Sequence, residues 1–143
     1  MAKNLTGQSY MSALEFADTN IVVYAVGKES LRQAIARRIV ASGVTVSAQV
    51  VNETVNVLVR KQGVSLPVAH EVAESLLDLI TIVPVGEKTI RGAIQIAKRY
   101  QFSHWDSLIV AAALQANCQT LYSEDMQHGQ MIEGRLTIIN PFD

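Results

Sequence analysis

The sequence predicts an α/β fold: a mainly parallel sheet of five strands flanked by helices. Three observations carry that prediction. Short runs rich in β-branched residues alternate with longer amphipathic stretches, the pattern of repeated βαβ units around a sheet covered on both faces. No internal repeat or low-complexity tract interrupts the alternation. With 143 residues, 49% of them hydrophobic, the chain suits one domain with a sizeable buried core.

Taken in order, residues 1–11 lack periodicity and end in Met11, so they are read as a leader, an ordered extension or an upstream start, with the domain proper at 12–143. A first strand is predicted at about 14–18, then a helix from about 20 to 26 and another from 30 to 41, ended by Ser42-Gly43. The second strand is 44–46. Ser47 can N-cap a helix running to about Gln62, and Gly63 and Pro67 frame the turn into a helix at 67–79 with proline at its first position. The third strand, 80–84, leads to helices at about 87–100 and 104–117. A fourth strand at 120–123, a helical turn near 125–128 and a last strand at 136–139 complete the pattern.

Composition excludes several classes of function. The single cysteine, Cys118, leaves no internal disulfide framework, no charged segment followed by an apolar core resembles a secretion signal, and the cytoplasm is the expected compartment. No apolar run reaches the roughly 18 residues needed to span a bilayer. The formal charge of −1 gives no general attraction to polyanions, so nucleic-acid contact would rest on local basic groups. Candidates are Arg32, Arg37 and Arg38, then Arg60 and Lys61, then Arg91, Lys98 and Arg99, although solvated helix faces account for each cluster more simply.

Against this apolar background four acids stand out. Asp18 follows the stretch 14–17, Glu53 sits inside the valine-rich run 50–59, Asp106 precedes Leu108-Ile109-Val110-Ala111-Ala112-Ala113, and Asp125 follows Leu121-Tyr122-Ser123. Desolvating an unpaired charge costs roughly several kcal/mol, so four such intrusions call for a shared partner. Each also has a plainer reading. Asp18 is a natural N-cap ahead of Thr19-Asn20. Asp106 completes a capping box with Ser103. Gln49, Glu53, Asn56 and Arg60 fall within a roughly 60° arc at about 100° per residue, which reads equally as a solvent seam or a seam facing a cleft. Asp125 competes with its neighbour Glu124, and Ser123 would offer a hydroxyl beside either.

Two carboxylates about 4 Å apart repel by on the order of 4 kcal/mol at an effective dielectric near 20, so four together need a cation. Hard oxygen donors without histidine or thiolate pairs select Mg²⁺ or Mn²⁺ over zinc. His70, His104 and His128 show no ligand spacing. Such ions assist in-line displacement at phosphorus, the chemistry of metal-dependent nucleases.

Asp18-Thr19-Asn20-Ile21-Val22-Val23-Tyr24-Ala25, Glu53 in its valine-rich helix, Trp105-Asp106-Ser107-Leu108-Ile109-Val110, and Leu121-Tyr122-Ser123-Glu124-Asp125-Met126 occur in that order. Over about residues 14–140 the chain thereby resembles PIN domains, most closely VapC-type toxins of bacterial toxin-antitoxin systems. The resemblance implies a three-layer sandwich with a five-stranded parallel sheet, Mg²⁺- or Mn²⁺-dependent cleavage of RNA, a homodimer, and inhibition by an antitoxin whose segment occupies the active cleft. It carries metal ligation onto Asp18, Glu53, Asp106 and Asp125, with Thr19, Asn20, Ser123 and Glu124 in support. Ser123 stands where family members often have threonine, and the adjacent acids leave the fourth ligand open. Arg60, Lys61, Lys98 and Arg99 are the expected phosphate contacts. Trp105 and Phe102 are candidates for base contact, with core packing the simpler expectation. The rival functions are a noncatalytic RNA-binding or interaction module on the same fold, and a phospho-acceptor domain. The latter would want an aspartate after the third strand, where the chain reads Ile82-Val83-Pro84-Val85-Gly86.

Overall fold

The computed structural model describes residues 13–143; the stretch 1–11 read above as a leader lies outside the described residues. Strands β1 (Glu15–Ala17), β2 (Thr45–Ser47), β3 (Thr81–Val83), β4 (Thr120–Tyr122), β5 (Met131–Ile132) and β6 (Leu136–Ile139) form one sheet in the order β3-β2-β1-β4-β6-β5. All neighbours are parallel except β5 and β6. The sheet therefore has six strands where the sequence predicts five. The extra one is a two-residue strand, too short to show a period, and it is created by a tight reversal in which Glu133 and Gly134 both take positive φ, 52° and 66°.

Six helices flank the sheet: α1 (Thr19–Val26), α2 (Gln33–Ala41), α3 (Ala48–Arg60), α4 (Leu66–Leu79), α5 (Glu87–Tyr100) and α6 (His104–Gln115). Local chemistry sets their starts. The side chains of Ser47, Ser65 and Ser103 accept from the amides of Val50, Val68 and Asp106, and Asp18 accepts from Thr19. Ser65 as cap puts Pro67 second in α4 rather than first. Helix α2 begins three residues later than predicted, because 31–32 form a turn in which Gln33 N–H reaches the Ser30 carbonyl. The helical turn predicted near 125–128 is absent; the segment bends instead, the Asp125 amide reaching Ser123 Oγ at 3.3 Å.

Helix α6 is buried on all sides from Ser107 to Leu114, and packs against β2 and α5. Phe16, Ile21, Val22, Val46, Val50, Ile109, Leu121 and Ile138 belong to one continuous core. Within the described residues no helix is long and apolar enough to cross a membrane. The chain leaves β1 toward β2 on one side and meets β4 on the other, so the strand order reverses between β1 and β4. In open parallel sheets the crevice beyond that reversal, at the carboxyl ends of the strands, is where ligands bind. Asp18 follows β1 and Ser123 follows β4 at that edge.

Candidate active site

Burial and hydrogen bonding hold Asp18 in one orientation. Its Oδ1 accepts from the Thr19 amide at 2.7 Å, and its Oδ2 accepts from Ser123 Oγ at 2.8 Å and from Asn20 Nδ2 at 3.4 Å. Asn20 Nδ2 also donates to Asp125 Oδ2 at 3.1 Å, while its Oδ1 accepts from the Glu124 amide at 3.2 Å. One asparagine on the first turn of α1 thus spans two carboxylates and fixes the backbone between them.

Asp18, Asp106, Asp125 and Glu53 line a single pocket of about 360 Å³, together with Thr19, Asn20, Tyr24 and Lys61. The four acids come from the end of β1, the first turn of α6, the segment after β4 and the middle of α3. Glu53 is steadied by Gln49 one turn earlier: Gln49 Nε2 donates to Glu53 Oε1 at 2.6 Å and to the Trp105 carbonyl at 3.3 Å, tying α3 to the start of α6.

The electrostatics show the acids sensing one another. Burial pushes the Asp18 carboxyl up to about 6, the charges of Asp106 and Asp125 adding to it against the hydrogen bonds from Ser123 and Thr19. Asp106 is raised by burial, then by Asp125, against its bond with Ser103. Capping and site duties therefore coexist at Asp18, which caps α1 and lines the pocket. At Asp106 the capping box predicted with Ser103 is half present, since Ser103 Oγ accepts from the Asp106 amide at 3.2 Å.

The donor set fits a hard divalent cation in its chemistry: carboxylates alone, around a pocket wide enough for water. Among the described residues no three Asp, Glu, His or Cys side chains are drawn together as a ready chelate.

The neighbouring acids at 124 and 125 have separate fates. Asp125 lines the pocket, whereas Glu124 is engaged by α1 and the turn before α2, accepting from the Tyr24 hydroxyl and pairing with Arg32 Nε at 2.7 Å. The Arg32 guanidinium in turn lies over the rings of Tyr24 and Phe142, 5.7 and 5.5 Å from their centroids. Sequence reasoning missed Tyr24, although it stands four residues after Asn20 and so shares its helix face. Arg32, expected only as a basic group for nucleic-acid contact, instead pairs with Glu124, a contact with no local signal because the two are remote in the chain.

Of the basic candidates only Lys61 lines the pocket. Arg60 is exposed one residue away, and Lys98 and Arg99 end α5, where Arg99 pairs with Glu133 at 2.9 Å. The two aromatics differ. Phe102 stacks on Tyr100 against the core, as expected, but Trp105 is 65% exposed rather than packed inside.

Comparison with known proteins adds three kinds of finding. The family model described as PIN domain matches residues 16–131. Among curated proteins none matches the chain in sequence. Among solved structures, the chain is similar to Mycobacterium tuberculosis VapC20, described as a sarcin-ricin loop cleaving toxin, with a TM-score of 0.65 and 23% identity over 78% of this chain and 89% of that one. It is similar to a toxin-antitoxin complex from Klebsiella pneumoniae, with a TM-score of 0.68 and 16% identity over 92% and 99% of the two chains. It is likewise similar to FitAcB from Neisseria gonorrhoeae, with a TM-score of 0.64 and 24% identity over 90% and 99%.

Proposed function

We propose, since this chain belongs to the PIN domain family, that it is a metal-dependent endoribonuclease hydrolysing RNA phosphodiester bonds, and the toxin of a toxin-antitoxin pair. The observation that carries the reading is the meeting of four acids, from four separate elements, around one pocket. The toxin and toxin-antitoxin descriptions of structures sharing the fold support the biological role, with a cognate antitoxin as partner; a homodimer as the working form and the cytoplasm as compartment belong to the same proposal.

Asp18, Glu53, Asp106 and Asp125 would hold Mg²⁺, or Mn²⁺ in its place. When bound, the cation supplies charge neutralisation at the phosphate and makes an attacking water more acidic. The chain's own residues do the rest. Asn20 and Ser123 fix the carboxylates of Asp18 and Asp125 so that neither must reorganise as charge develops. Lys61 faces a phosphate oxygen across the pocket. Asp106, half-buried on the first turn of α6, would accept the proton of the attacking water. Thr19, which also lines the pocket, holds the Asp18 carboxylate through its backbone amide. Arg60, Lys98 and Arg99 lie outside the pocket and would touch only RNA that extends beyond the cut.

Purified protein is expected to cleave single-stranded RNA with Mg²⁺ or Mn²⁺ and to stop in EDTA. Asp106→Asn should lower the rate at least about 100-fold, as loss of a positioned acid-base group does, while the variant stays folded. Cleavage that persists in EDTA in both proteins would reject the metal mechanism. RNA bound but never cut, in wild type with metal, would favour a noncatalytic RNA-binding or interaction module instead.

A further inference from the structure

A second hollow opens beside the acidic pocket. It has a volume of about 380 Å³ and shares Glu53 as a common wall; Val85 and Leu108 line it with Trp105, and Gln49 and Asn52 supply amides. Three features distinguish it from an incidental surface crease. Trp105, the only tryptophan in the chain, is 65% exposed, although an indole is among the side chains that gain most from burial. Gln49 spends its amide nitrogen on Glu53 and the Trp105 carbonyl, which leaves its Oε1 buried without a hydrogen-bond partner. The volume lies at the low end of the roughly 300–1,000 Å³ typical of small-ligand pockets.

We infer that this hollow is a nucleobase subsite, which takes a base of single-stranded RNA next to the phosphodiester in the acidic pocket. The inference rests on the nuclease reading above. A planar neutral ring suits a hollow walled by Glu53 better than a phosphate does, since no like charges meet. It would cover the exposed indole by stacking, which tolerates any base, and the Gln49 and Asn52 side chains line the wall that its polar edge would meet. Asn52, exposed at the rim, adds a donor and an acceptor that distinguish one base edge from another. The sharing of Glu53 makes the geometry consecutive: a ribose-phosphate chain that leaves the stacked base enters the pocket of the four acids.

The lone tryptophan makes the test direct, because all indole fluorescence comes from Trp105. The protein in EDTA, where cleavage is suppressed, is titrated with a short single-stranded oligoribonucleotide and with the same oligomer made abasic at every position. Saturable quenching by the first and none by the second is expected, with cleavage by Trp105→Ala showing KM raised about 5- to 150-fold, Trp105→Phe falling between, and Asn52→Ala narrowing the preference among bases. Equal quenching by the abasic oligomer would overturn the proposal in favour of backbone contact. Fluorescence that ignores RNA but follows protein concentration, with a matching monomer-to-dimer change in sedimentation, would overturn it in favour of an interface between copies. Base-dependent quenching without metal-dependent cutting would keep the subsite and reject the nuclease; cutting without quenching would do the reverse.

Discussion

Asp18 meets opposed demands. Its carboxylate caps α1 and accepts from Ser123 and Asn20, all of which favour the ionised form, yet burial and the charges of Asp106 and Asp125 prevail and push it up to about 6. Between its ordinary 3.8 and that value the folded chain binds more protons than the unfolded one, so stability falls as pH rises through the window and the cost is fully present above about 6. The rise corresponds to about 3 kcal/mol in the metal-free protein. Asp18→Asn keeps a carbonyl for the Thr19 amide and removes the charge. In EDTA at pH 8 it should melt several degrees above wild type, and the gain should shrink toward zero at pH 4. A variant that melts below wild type at pH 8 would show that the lost acceptor for Ser123 matters more than the removed charge.

At the scale of elements, the short segment after β4 is positioned by side chains far away in sequence. The Arg32–Glu124–Tyr24 contacts, with Phe142 packed edge-on to Tyr24 at 5.3 Å, fasten residue 124 to α1 and to the turn before α2, which leaves Asp125 directed into the pocket. At the proposed metal site, supporting contacts of this kind would act through metal affinity. Glu124→Gln and Arg32→Ala are expected to raise the Mn²⁺ concentration for half-maximal RNA cleavage about 10-fold while leaving the rate at saturating metal near wild type; an unmoved metal dependence would mean that Asp125 holds its place without this brace. Sequence reasoning reached the strands, the helices and the four acids because each leaves a local mark: a β-branched run, a serine cap, a carboxylate among valines. It did not reach the pairing of Arg32 with Glu124, the packing of Phe142, or β5. The first two act through contacts that only the closed fold creates, and the third owes its existence to a two-residue reversal at Glu133-Gly134 rather than to any period. Trp105 differs for another reason: the buried run of α6 begins only at Ser107, and Trp105 shares the exposed first turn with His104.

For the molecule as a whole, the sheet order concentrates acid at one edge of a nearly neutral protein. Formal charge is only −1, but the reversal of strand order between β1 and β4 gathers Asp18, Asp106 and Asp125, so that the charges of Asp106 and Asp125 raise the proton affinity of Asp18 and that of Asp125 raises the proton affinity of Asp106, with Glu53 brought in by α3. The folded chain therefore carries a repulsion that the unfolded chain, with its acids dispersed, does not. A cation that relieves it binds the native state alone, and stability must rise with its concentration. At about 100 times the dissociation constant the gain is about 2.7 kcal/mol, which for a domain of this size raises the melting temperature by roughly 10 °C. Melting curves of wild type against Mn²⁺ should climb logarithmically once the dissociation constant is passed, and those of the Asp18→Asn/Asp106→Asn double variant should stay nearly flat from their own metal-free value. Parallel climbs in the two proteins would place the ion elsewhere on the surface and detach the four acids from metal binding; a flat wild-type curve across the millimolar range would leave their mutual repulsion without the partner proposed for it.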